Sequence, residues 1–143
     1  FSRGADLIIG SHPHVSQKMI WLKKDSVHND QVVVYSLGNF VSNQRRPKTD
    51  GGIMARIEFE RNNGSLNVVN AGYYLTWVYT PIVNYRKKFY ILPCSKFEKK
   101  RDFFTNAADY HKMMTFIIGA RRFFESQNIN FNEFIFSESE WKR

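Results

Sequence analysis

Apolar positions along this chain change their period once, near residue 94, and the change separates a strand-rich part from a helical one. Leu7-Ile8-Ile9 is a short unbroken apolar run and reads as a buried strand. Met19-Ile20-Trp21-Leu22 and Val32-Val33-Val34-Tyr35 flank the polar stretch from Lys24 to Asp30, the pattern of a hairpin in which His28 is a solvated turn residue. The clearest alternation sets Ile53, Ala55, Ile57 and Phe59 against Met54, Arg56, Glu58 and Glu60, a strand with one buried and one wet face. It ends at Arg61-Asn62-Asn63-Gly64, whose Asn-Gly pair accepts positive φ, so Leu66 through Tyr79 should return antiparallel. Pro81 closes or interrupts that strand, and Phe89-Tyr90-Ile91-Leu92 forms another, stopped by Pro93.

Beyond this point the spacing becomes helical. Between Asn106 and Glu125, Tyr110, Met113, Met114, Ile117, Ala120 and Phe124 recur three and four apart, an amphipathic helix with Asn106 as N-cap and Asp109 in its first turn. That stripe is a packing face, and His111 lies off it, at the surface. Ser137 to Arg143 reads as a frayed tail. The expected fold class is α+β: mainly antiparallel sheet with a C-terminal amphipathic helix. One domain is expected, with 1–93 as its β-rich part and 94–143 as a helical extension and tail.

Composition adds bounds. The chain has 143 residues, of which 43% are apolar, and its 13 Phe, 7 Tyr and 3 Trp mark a globular chain with a core. Its start at Phe1, almost on an apolar strand, suggests a fragment or processed product. No run reaches the roughly 20 apolar residues that span a bilayer. The single Cys94 excludes an internal disulfide and reads as a packed thiol. The net charge of +8 gathers at Lys23-Lys24, Arg45-Arg46-Pro47-Lys48, Arg86-Lys87-Lys88, Lys96 to Arg101 and Arg121-Arg122. These clusters sit at the ends of apolar segments and carry no nucleic-acid motif, so the expectation is no nucleic acid. An anionic polymer or anionic surface suits the charge better.

The candidate chemistry is His12-Pro13-His14, directly behind Leu7-Ile8-Ile9-Gly10. Imidazoles ligate zinc, manganese and iron, and Pro13 restricts both its own φ and the conformation of His12. H-x-H alone is a weak signal, because a catalytic centre takes three or more protein ligands. Ser11 and Ser36 lack the Gly-x-Ser-x-Gly setting of a hydrolase nucleophile.

Gly4 through Val15 with its His-Pro-His loop, then Gln17, then Tyr35-Ser36-Leu37-Gly38-Asn39-Phe40-Val41, resembles the C-terminal part of the bacterial capsule-synthesis CapA family, also called the poly-γ-glutamate synthesis family. The resemblance is strong over roughly residues 4–60, looser to about Pro93, and absent from the C-terminal helix and tail. That family lies in the calcineurin-like metallophosphatase superfamily, which implies a β-sandwich fold and, carried onto this chain, His12 and His14 as metal-ligating and catalytic residues. Ser11 separates Gly10 from His12, as in the capsule family's own version of the Gly-His-x-His motif. The remaining motifs of such a centre precede the final loop, and only eleven residues precede His12 here. Gly38-Asn39-Phe40 carries Phe where the Gly-Asn-His motif has histidine, and it reads as structural.

The resemblance thus implies a part of a protein of capsule or poly-γ-glutamate biosynthesis whose parent is a two-metal phosphoesterase using Mn, Zn or Fe. The chain alone is then expected to be inactive and to bind metal weakly or not at all. The competing reading is a non-catalytic basic module that binds an anionic polymer, poly-γ-glutamate or capsule, or a membrane-associated synthase partner. Further expected partners are the upstream part of the same family domain and a second copy of the chain. The implied location is the bacterial cell envelope.

Overall fold

A computed structural model describes residues 1–26, 28–137 and 139. It is mixed α and β, with most elements strands and one long helix. The tail expected from Ser137 onward falls largely outside the described residues.

The first sheet contains β1 (Leu7–Ile9), β2 (Met19–Leu22) and β3 (Gln31–Val34) in the order β1-β3-β2. β2 and β3 form the expected antiparallel hairpin, while β1 runs parallel to β3 with Ile8 opposite Val33. Val32 and Val34 are fully buried, but β1 is not the buried strand its apolar run suggested. Leu7, Ile8 and Ile9 are 39%, 40% and 46% exposed. The reason is position: β1 is an edge strand paired on one side only among the described residues, so both its faces and its outer edge stay open.

The second sheet is built on a long hairpin. β4 (Gly51–Asn62) pairs antiparallel with β5 (Ser65–Tyr79), and β8 (Tyr90–Pro93) adds to the far side of β5. The turn has Asn63 and Gly64 at φ 48° and 83°, the left-handed geometry that an Asn-Gly pair accepts at little cost. Core-facing Ile53, Ala55 and Ile57 follow the predicted alternation, whereas Phe59 is 45% exposed. There the register shifts across a bulge between Glu58 and Phe59, and the hairpin runs on beyond the core. β5 is buried at every residue from Ala71 to Tyr79, and strands pair with both of its edges there. Pro81 does end it, and a small hairpin of β6 (Ile82–Val83) and β7 (Arg86–Lys87), which the periodicity did not show, follows. Pro93 is the last residue of β8, immediately before the short α1 (Cys94–Phe97).

Helix α2 (Ala107–Gln127) begins where its cap predicts: Asn106 Oδ1 accepts the Asp109 backbone N–H at 2.9 Å, a contact worth about 1 kcal/mol. It buries Met113, Ile117 and Phe124 against Tyr73, Leu75 and Trp77 of β5, at about 2 kcal/mol per side chain relative to exposure. The helix therefore covers the second sheet and leaves β1 open. After α2 the chain returns as β9 (Asn132–Glu133), parallel to β5. Arg121 of α2 locks this return: its Nε and Nη2 donate to the Glu133 carboxylate at 2.7 and 2.9 Å, and Nη1 donates to Glu98. Residues of both sheets and α2 belong to one hydrophobic core. Asp30 ties the sheets together, accepting from Trp21 Nε1, Lys24 N and Val68 N.

Candidate functional site

His12 and His14 lie on the loop that leaves β1, and their position follows from how its two ends are held. At the near end, Gly10 N–H donates to Val34 O at 2.8 Å and Gly10 O accepts from Leu37 N at 2.9 Å. At the far end, Gln17 N–H donates to Ser36 O and Ser16 Oγ donates to Leu37 O. One short stretch, Val34 to Leu37, thus clamps both ends. The approach is close: a Cβ on Gly10 would sit 2.4 Å from Tyr35 O, and one on Gly38 would sit 2.5 Å from Ser16 Oγ. Gly38 also has φ +72°, so glycine is required there twice over.

Inside the clamp His12 and Pro13 form a turn, and His14 adopts φ 55°. Both histidines are exposed. His14 Nδ1 lies 2.8 Å from Oδ1 of Asn39, which is 7% exposed. The Asn39 amide nitrogen donates to Thr49 O at 2.8 Å and to Gln44 Oε1 at 3.2 Å. Thr49 O is a backbone carbonyl and can only accept, so this contact sets which end of the amide carries nitrogen. Oδ1 therefore faces His14, and His14 Nδ1 must carry the proton. In the neutral ring that leaves the lone pair on Nε2, the tautomer a metal or a proton donor would meet. The His12 ring makes no hydrogen bond among the described residues.

Two clefts flank the loop, and neither histidine lines them. Ser11 and Gly38 border one of ≈ 1080 Å³ together with Ile9, Phe40 and Met54, on the open side of β1. Val15, Ser16 and Gln17 border the other, ≈ 970 Å³, beneath α2. Elsewhere, His28 is exposed beside Asp25, and His111 is exposed on α2. Ser36 is buried with its Oγ accepting from Gly38 N, a turn contact. Cys94 is buried, and desolvation, with Glu133 next in weight, raises its thiol pKa well above the ordinary value.

Among the described residues no three or more His, Cys, Asp or Glu side chains are grouped to hold a metal ion. Two imidazoles by themselves fall short of the three protein ligands that a catalytic metal centre takes. Sequence reading placed the histidines on their loop and missed the part played by Asn39. Its only local signal was an amide among apolar neighbours in Tyr35–Val41, and the contact spans 25 positions.

The site is thus a clamped loop that presents two histidines at a strand end, one of them oriented by a buried amide. Residues 1–44, which contain the loop and Asn39, match the family described as Bacterial capsule synthesis protein PGA_cap. It is 39% identical over 59 residues to the PGA biosynthesis protein CapA of Bacillus subtilis (strain 168), covering 41% of this chain and 14% of the relative. It is 37% identical over 62 residues to the capsule biosynthesis protein CapA of Bacillus anthracis, covering 43% and 13%. The match therefore spans about a seventh of the curated relatives' length. No solved structure matches the chain. No helix of the described residues is long and apolar enough to cross a membrane.

Proposed function

We propose that the chain acts in capsule or poly-γ-glutamate biosynthesis at the bacterial cell envelope, and that His12 and His14 are a ligand pair of a metallophosphatase-type centre. The observation that carries this reading is the His14–Asn39 contact, a buried amide that leaves one imidazole nitrogen free to face outward. Metal-bound histidines characteristically donate their other N–H to a fixed acceptor, and Asn39 is such an acceptor. The remaining ligands belong, in this proposal, to parts of a longer protein, and the open edge of β1 is where a further strand of it would pair. Two sheets sharing one core are consistent with one half of a metallophosphatase-like sandwich. Divalent manganese, zinc or iron in the completed centre would supply Lewis-acid chemistry toward a phosphoryl group. This chain's own contribution is to hold two imidazoles and to fix the tautomer of one.

The test is a manganese titration followed by proton NMR of the histidine rings. His12 and His14 should broaden together at low metal, ahead of His28, which is exposed beside Asp25, and His111, which is exposed on α2. His12→Ala should remove the preferential broadening of His14, and His14→Asn that of His12. Uniform broadening of all four rings, or indifference to either substitution, would overturn the ligand-pair assignment.

A further inference from the structure

The β6–β7 hairpin is built against local preference. Its turn, Val83-Asn84-Tyr85-Arg86, has φ 50° at Asn84 and 58° at Tyr85, with Val83 paired to Arg86. Two positive φ values between paired strand residues define a type I′ turn, which favours asparagine first and glycine second. Tyr85 stands in the glycine position, where a bulky side chain is a conformational outlier. It is also fully exposed, at 102% of its reference area, so no packing among the described residues compensates for that conformation. Departures from local rules without compensation inside the fold point to a role outside it.

The neighbours of Tyr85 show what that role requires. Ile82 is 73% exposed, and Val83, Phe89 and Tyr90 are also exposed, so the hairpin presents a small apolar prominence. Arg86, Lys87 and Lys88 follow directly, and no Asp or Glu occurs between Glu60 and Glu98. Lys87 Nζ donates to Asn43 Oδ1 at 3.0 Å, which brings the hairpin against the segment carrying Arg45, Arg46 and Lys48. The base of the hairpin is held by Lys88 N–H donating to Pro81 O, with Pro81 itself buried. An apolar, aromatic tip on a fixed base with a cationic collar matches the layering of a lipid surface: acyl boundary, headgroup amphiphile, phosphate. A soluble polyanion would use the cations and leave Ile82 and Tyr85 without a purpose.

We infer that the hairpin at 82–87 is a peripheral membrane-docking element, which seats Tyr85 and Ile82 at the interface of an anionic bilayer while Arg86, Lys87 and Lys88 meet its phosphates. The test is co-sedimentation of the intact chain with phosphatidylcholine vesicles and with vesicles of equal parts phosphatidylcholine and phosphatidylglycerol. Binding should need the anionic lipid and weaken with salt. Tyr85→Gly relieves the turn and so keeps the fold, yet it should lower the partition constant on the order of tenfold. Replacing Arg86, Lys87 and Lys88 together with glutamine should lower it on the order of a hundredfold. Absence of vesicle binding overturns the proposal, whether or not the chain binds soluble poly-γ-glutamate instead. Undiminished binding by the Tyr85→Gly variant also overturns it, since charge alone would then account for adsorption.

Discussion

Replacing Asn39 with alanine should destabilise the chain far more than replacing the histidine it holds. The Asn39 side chain makes three hydrogen bonds, to Thr49 O and His14 Nδ1 at 2.8 Å and to Gln44 Oε1 at 3.2 Å. At a net value of about 1 kcal/mol each, with water refilling the exposed Gln44 and His14 sides, the loss is about 2 kcal/mol. For a chain of this size that corresponds to a fall of roughly 6–8 °C in Tm. His14→Asn removes one of these bonds from an exposed ring and keeps a residue type tolerant of the left-handed conformation, so it should cost below about 1 kcal/mol. The second readout is independent of stability. Nitrogen NMR at mildly alkaline pH should find His14 protonated on Nδ1 in the parent chain and shifted toward the Nε2-protonated form in Asn39→Ala. Equal, small losses for the two variants would refute the buried-amide argument, and an Nε2-protonated His14 in the parent would refute the tautomer assignment.

Asp30 gives the chain an acid-sensitive joint. Burial raises its pKa, but hydrogen bonds from Trp21, Lys24 and Val68 outweigh that and hold it below the ordinary value of 3.8. A depressed carboxylate contributes stability that is present above the unfolded value and lost as pH falls through the folded one. Asp30→Asn should therefore flatten the acid limb of the stability profile and cost about 1 kcal/mol at neutral pH, allowing for solvent screening, as measured by urea unfolding. An unchanged acid limb would show that Asp30 does not couple the sheets. Cys94, buried with its thiol pKa raised, should react with a disulfide reagent only as fast as the chain unfolds; rapid labelling of the native chain would contradict its place in the core.

What could be read along the chain is what neighbouring residues settle among themselves. The 3.6-residue spacing of Met113, Ile117 and Phe124 selects one helix face whatever lies opposite, and Asn106 caps it through a contact only three residues long. Asn63-Gly64 turns the long hairpin by its own backbone preference, and Gly10-Ser11-His12-Pro13 takes the histidines off the strand for the same local reason. The tertiary structure decided everything that depends on who stands beside whom. Leu7, Ile8 and Ile9 are as apolar as a buried strand needs, yet burial is a property of neighbours, and on the outer side of β1 the described residues place none. His14 and Asn39, 25 residues apart, meet because Val34–Leu37 clamps the loop beside them; Arg121 gathers Glu98 and Glu133 only once α2 has folded back along β5. Periodicity registers which face of an element is apolar. It carries no term for the side-chain hydrogen bonds that long-range packing brings within 3 Å.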